Sequence, residues 1–129
     1  MQKEVVNIPG IETPDLPFNH VVKAGNLLFL SSQLSCDLKT GEFLSGDIGK
    51  QTKQTMENIK LLLKSCGSSM NNILKTIIYM RNVEDFDKIN DVYKQYFTKG
   101  SEPARVAMQV PSPLKEIDIE IEVTALIEK

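Results

Sequence analysis

The sequence is poor in the residues that build disulfide frameworks, metal sites and membrane spans: it has two cysteines and one histidine. Two cysteines, Cys36 and Cys66, are too few for a secreted disulfide-rich domain, so we expect free thiols in a reducing compartment. One histidine, without a CxxC or HxxxH pattern, disfavours a bound transition metal. No segment approaches the ~18 apolar residues of a membrane-spanning helix, and the opening residues lack the apolar core of a signal peptide. We therefore expect a cytoplasmic protein with no metal and no membrane contact.

An excess of charge of either sign is also missing. The chain has 15 Lys and Arg against 17 Asp and Glu, which gives a net charge of −2. Such a balance provides no basic field for phosphate backbones, so nucleic acid is not an expected partner. With 129 residues, 41% of them hydrophobic, and no break in composition, the sequence predicts a single domain over residues 1–129.

Periodicity in the first half of the chain predicts a hairpin followed by a helix. Two short apolar segments, 21–23 and 27–30, flank the turn-prone residues 24–26 and predict two antiparallel strands. After Asp47, a candidate N-cap, apolar residues recur at helical spacing until Gly67, a candidate stop. This pattern predicts an amphipathic helix of about five turns.

The second half predicts three more strands and one more helix. Residues 73–80 are short and β-branched, which favours a buried strand. A second helix is predicted between Asn82 and Gly100 from one apolar stripe, formed by Phe86, Ile89, Val92, Tyr93, Tyr96 and Phe97. Strict alternation then predicts strands over 103–110 and 117–124. The order β-β-α-β-α-β-β predicts an α+β fold with both helices on one face of a sheet.

Arg105 is the cation that the strand pattern singles out. Its predicted strand is flanked by prolines and is otherwise small or apolar, so the guanidinium is a candidate for binding a carboxylate in a cleft. The alternative is an ordinary surface cation paired with a neighbouring carboxylate. Period-2 geometry places Ala107 and Gln109 on the same face as Arg105.

The last predicted strand carries acidic residues on one face, namely Asp118, Glu120 and Glu122. They are either functional carboxylates or a solvated edge, and pattern alone does not separate the two interpretations. We expect this acidic face to be the one that Arg105 and Gln109 share, opposite the helices. A face that polar cannot form a dry core, so we expect the sheet to assemble with other copies.

Several separated segments together resemble the Rid family, also called YjgF/YER057c/UK114. They are Val22 to Ser31, Gln54-Thr55 to Asn58-Ile59, Tyr96-Phe97, Pro103-Ala104-Arg105 and Glu120-Ile121-Glu122. The resemblance implies a chorismate-mutase-like sheet with two helices on one face, assembled as a homotrimer around a central barrel with three clefts between subunits. It also implies hydrolysis of reactive enamines and imines to keto acids and ammonia, without a cofactor.

The resemblance also assigns roles to individual residues. Arg105 matches the family arginine that pairs with the carboxylate of a 2-imino or 2-keto acid, and Glu120 matches the glutamate that orients or activates water. Asn90 matches a position near the cleft. These correspondences predict a deaminase site built on Glu120 and Arg105.

Several positions depart from the deaminase pattern, and among them Asn19 and His20 replace a Ser-Gln pair. Phe18 stands where a tyrosine is usual, Ser32 replaces a glycine whose amide contacts substrate, and Ala107 replaces a cysteine. Phe18 lacks a hydroxyl for hydrogen bonding, and Ser32 adds a Cβ to the pocket. The alternative function is therefore a ligand-sensing homologue that binds carboxylates with little turnover.

Overall fold

The computed structural model describes residues 1–111 and 114–128, which form one sheet and two α-helices. The elements are β1 (Lys3–Val5), β2 (Val21–Ala24), β3 (Leu27–Leu34), α1 (Ile48–Ser65), β4 (Ile73–Met80), α2 (Phe86–Tyr93), β5 (Ala104–Gln109) and β6 (Ile119–Leu126). The sheet order is β1-β2-β3-β6-β4-β5, with β4 and β5 parallel and the other neighbours antiparallel. Every predicted strand and helix is present. The added strand, β1, is short and exposed, and so has no burial pattern from which to predict it.

Helix α1 begins and ends as its sequence predicts. The carboxylate of Asp47 accepts a hydrogen bond from the backbone N–H of Lys50 at 2.9 Å, which satisfies a free donor of the first turn. Gly67, at φ 76°, ends the helix in the left-handed region that glycine adopts without strain. Among the helices of residues 1–111 and 114–128, none combines the length and the apolar composition of a membrane span.

Helix α2 is shorter than its apolar stripe. It ends at Tyr93 and continues only as a 3-10 turn over Lys94–Tyr96, after which Phe97 is extended. The predicted end at Gly100 is therefore wrong. Tyr96 and Phe97 still pack against the core, although they lie beyond the end of the helix. The apolar spacing therefore indicated which residues are buried, not how far the helix extends.

The core lies between the two helices and one face of the sheet. Alternate residues of β6 point into the core, namely Ile119, Ile121, Val123 and Ala125. Large buried side chains of α1 pack in the same core, namely Met56, Ile59, Leu62 and Leu63. The α+β architecture with both helices on one sheet face is thus confirmed.

Arg105 lies on the helix-covered face of the sheet, which contradicts the prediction that it shares a face with the acidic residues. It is in register with Thr76, which is buried and is itself in register with the core residue Val123. Ala107 packs against the same core, and Gln109 shares its face. The alternation of side chains along a strand shows which residues share a face of the sheet, but it does not show which of the two faces the helices cover. This strand also lies at the edge of the sheet.

The opposite face of the sheet, called here the open face, is covered by no other element among the described residues. Glu120 and Glu122 project from it, as predicted. It also carries large apolar side chains, and Phe29, Val106 and Met108 are 44%, 40% and 40% exposed. The open face is therefore more apolar than the sequence suggested.

Candidate functional site

Arg105 is held on the outer strand of the sheet by side chains of α2. Its Nη1 donates a hydrogen bond to Oδ1 of Asn90 at 2.6 Å. The guanidinium carbon lies 5.5 Å from the ring centroid of Phe86 and 5.2 Å from that of Tyr93, within the range of cation-π attraction. Tyr93 is fixed in turn, because its hydroxyl is 2.7 Å from Oγ1 of Thr76 on β4.

This arrangement leaves the Arg105 cation without a charged partner in the part of the chain that the structure describes. None of the ion pairs found there includes Arg105. The interpretation of Arg105 as one half of a surface ion pair is therefore not supported. Two rings and an amide orient the guanidinium plane while the residue stays exposed, which is a suitable arrangement for a two-pronged carboxylate contact.

Glu120 projects into a cavity of about 240 Å³ at one end of the open face. It lies opposite Tyr79 of β4 and Leu34 of β3. Ser32 reaches the same cavity because a register shift between Leu30 and Gln33 bulges β3 there. The remaining lining comes from Arg81, Val110, Asp118 and Ile119.

The electrostatics of this cavity favour a protonatable carboxyl. Burial raises the pKa of Glu120, since the charged form loses water contact. Burial and the hydrogen bond from its hydroxyl to Glu122, at 3.0 Å, raise the pKa of Tyr79, which keeps that phenol neutral. A carboxyl with a raised pKa beside a neutral hydroxyl is able to take up and return a proton.

Phe18 lies in a different cavity, of about 220 Å³, with His20 and Cys36. Its ring meets the His20 ring edge-on, with centroids 6.1 Å apart. Burial lowers the pKa of His20 and raises that of Cys36, so both side chains are uncharged near neutrality. That state disfavours a thiolate nucleophile at Cys36.

A family model described as Endoribonuclease L-PSP matches residues 11–127. The chain belongs to the Rid (YjgF/L-PSP) family. A RutC family protein of Pyrococcus horikoshii is 44% identical over 123 residues, which are 95% of this chain and 97% of the relative. The human 2-iminobutanoate/2-iminopropanoate deaminase is 34% identical over 110 residues, 85% of this chain and 80% of that protein.

A solved Rid structure shows the same fold. The crystal structure of YyfA from Yersinia pestis, described as a protein of unknown function of the conserved Rid family, has a TM-score of 0.89. It is 30% identical and covers 98% of this chain and 100% of its own. The six-stranded sheet with two helices is thus a Rid fold.

Within this Rid chain, the predicted site residues fall into separate groups. Arg105 contacts Asn90, and Glu120 shares a cavity with Ser32. The two groups lie on opposite faces of the sheet. Ala107, which is on β5, is half-buried against the core. Phe18 lies in another cavity and belongs to neither group.

Four residues around these groups were missed by the sequence reasoning. Phe86 and Tyr93 were interpreted only as core, and Tyr79 and Arg81 received no role. The sequence did not reveal the strand order that places these residues. The pairing of β4 with β6 brings Tyr79 to Glu120, and the pairing of β4 with β5 brings Arg105 to α2.

Proposed function

We propose that this protein hydrolyses reactive 2-imino and enamine acids to 2-keto acids and ammonia. The observation that carries the proposal is Arg105, a cation oriented by Asn90 and two aromatic rings with no carboxylate partner among the described residues. Relatives named 2-iminobutanoate/2-iminopropanoate deaminase, 32–36% identical, support the reaction class. The net charge of −2 disfavours the ribonuclease activity that the family description names.

We further propose that the working site forms between copies of the chain in a homotrimer. Arg105 and Glu120 lie on opposite faces of one sheet, so a small substrate cannot reach both within a single copy. A neighbouring copy seated on the open face would bring its own Arg105 and Asn90 to the Glu120 cavity. The half-exposed apolar residues of that face supply a reason to associate.

In this arrangement Arg105 binds the substrate carboxylate and fixes the position of the imine carbon. Glu120 accepts a proton from a water molecule as the water oxygen attacks that carbon, so a C–O bond forms and the π electrons of the C=N bond move to the nitrogen. Glu120 returns this proton to the nitrogen, which gives a carbinolamine with one hydroxyl and one amino group. Glu120 then moves the hydroxyl proton to the amino nitrogen, the C–N bond breaks as the C=O bond forms, and ammonia leaves with a 2-keto acid as product. Positioning and proton transfer suffice because the imine is already electrophilic.

The test is to generate imino acid with an amino-acid oxidase and follow its decay with and without the protein. We expect accelerated hydrolysis by the wild-type chain, a loss of about 100-fold or more in Arg105→Ala, and no change in Lys88→Ala on the exposed surface of α2. Equal acceleration by wild type and Arg105→Ala would rule the proposal out.

A second candidate function is carboxylate sensing with little turnover. It is favoured by Phe18, which lacks a hydroxyl and lies outside the Glu120 cavity, and by the added side chain of Ser32 within it. Calorimetry with 2-keto acids separates the two functions. Saturable binding without imine hydrolysis supports sensing, and recovery of turnover in Phe18→Tyr supports an enzyme that has lost a hydroxyl.

A further inference from the structure

Arg81 and Asp118 form an ion pair at the mouth of the Glu120 cavity. Nε of Arg81 is 3.0 Å from Oδ1 of Asp118, and the backbone N–H of Arg81 donates to the carbonyl of Asp118 at 3.0 Å. Both residues line the cavity with Glu120. They lie just beyond the last pair of the β4–β6 ladder, Met80 with Ile119, so Arg81 is a diagonal neighbour of Glu120.

Two other parts of the chain hold the pair in place. Nη2 of Arg81 donates to the carbonyls of Leu114 and Ile117, which fixes the segment leading into β6. Gln51, buried on α1, donates to Oδ2 of Asp118 at 3.0 Å and accepts from the Asp118 backbone N–H at 2.9 Å. The position of Asp118, two residues before Glu120, is therefore set by both a helix and a strand.

We propose that Arg81 is a positioning residue for Glu120, and that Asp118 cancels the charge of the guanidinium at the Glu120 carboxyl. The inference rests on the proposed function, in which Glu120 exchanges protons with water and substrate. The charged and titratable side chains around Glu120 in the described residues are Tyr79, Arg81, Asp118 and Glu122. Of these, only Arg81 is cationic, and uncompensated it would hold Glu120 ionised.

The geometry of the pair supports this compensation. Nε of Arg81 and Oδ1 of Asp118 are 3.0 Å apart, and both side chains line the cavity that contains Glu120. A compensated pair has a weak field at its neighbours, because the two opposite charges act at nearly the same distance. Removing one partner exposes the field of the other.

The experiment is a titration of the Glu120 carboxyl by carbon NMR in the substrate-free protein, with the signal assigned by its absence in Glu120→Gln. In Asp118→Asn we expect the midpoint to fall by about half to one pH unit, because Arg81 remains charged. In Arg81→Gln we expect a rise of similar size, because Asp118 remains charged. The double variant should return close to wild type, and Arg81→Lys should lie nearer to wild type than Arg81→Gln.

Shifts of opposite sign that cancel are not expected from loosened structure alone. Shifts of the same sign in the two single variants, or no shift in either, would overturn the proposal. If Asp118→Asn does not fold, the upward shift in Arg81→Gln decides the question alone. Opposite shifts in a protein that hydrolyses no imino acid would refute the proposed function but not the charge compensation, because this titration requires no turnover.

Discussion

Asn90 orients the guanidinium of Arg105 for binding an anion. It is half-buried on α2 and holds one Nη1 proton of the guanidinium, while the rings of Phe86 and Tyr93 lie within cation-π range. An arginine whose plane is already fixed loses less side-chain entropy when a carboxylate binds. The affinity for a 2-keto acid should therefore depend on residues that do not touch the ligand.

Replacing Asn90 by Ala should weaken 2-keto acid binding about 5-fold, since a charged hydrogen bond that orients Arg105 is lost. KM for the imino acid should rise while kcat changes little. Calorimetry and steady-state kinetics measure the two quantities, with Asn71→Ala, at an exposed asparagine, as the matched control. A fall in kcat at constant KM would contradict a purely orienting role.

Glu120 should impose a pH dependence on hydrolysis. Burial raises its pKa, so the reactive carboxylate forms at a higher pH than the ~4.3 of a free glutamate. The value of kcat should therefore fall as pH drops through the raised pKa, because the protonated carboxyl cannot accept a proton from water. The pH profile of kcat measures this acidic limb.

The controls for this pH dependence are two glutamate variants. Glu120→Gln should lack the acidic limb and retain little activity, whereas Glu116→Gln, at an exposed position, should keep both. An unchanged limb in Glu120→Gln would assign the titration to another group.

At the scale of elements, α1 fixes the end of β3 through one buried side chain. Nδ2 of Asn58 donates to the carbonyls of Leu34 at 3.1 Å and Cys36 at 2.8 Å. These carbonyls follow the bulge that brings Ser32 to the Glu120 cavity. The shape of the cavity therefore depends on the packing of a helix on the far side of the sheet.

Asn58→Ala should lower the free energy of unfolding by about 1–3 kcal/mol, because it leaves two carbonyls without their donor. Urea denaturation measures the change. Lys53→Ala, on the exposed side of the same helix, should differ from wild type by less than about 0.5 kcal/mol. A wild-type midpoint for Asn58→Ala would show that water or another donor replaces the amide.

Elements with a strong local signal were predictable from sequence, and their mutual placement was not. Helix α1 was predicted with its cap and stop because Asp47 and Gly67 act within a few residues of the helix ends. The face of Arg105 was predicted wrongly, because it depends on β5 pairing with β4 across an intervening helix. The cavity around Glu120 was likewise invisible, since Tyr79 and Arg81 reach it only through strand pairing.

At the scale of the whole molecule, the open face is the surface that the proposed assembly must bury. A lysine in place of Met108, which is 40% exposed there, would place a charge in that interface. We expect Met108→Lys to shift the mass from trimer towards monomer and to lose deaminase activity with it. Light scattering after size exclusion measures the mass, and Leu61→Lys, at an exposed position on α1, is the control.

If one copy supplies Arg105 and another supplies Glu120, two inactive variants should complement each other when they are mixed in one oligomer. Arg105→Ala and Glu120→Gln chains, each inactive alone, are unfolded together in equal amounts, refolded and assayed for imine hydrolysis. Random mixing in a trimer should restore roughly a quarter of the wild-type activity, because about one cleft in four then contains both native residues. No recovery in mixed oligomers of confirmed composition would contradict the shared site.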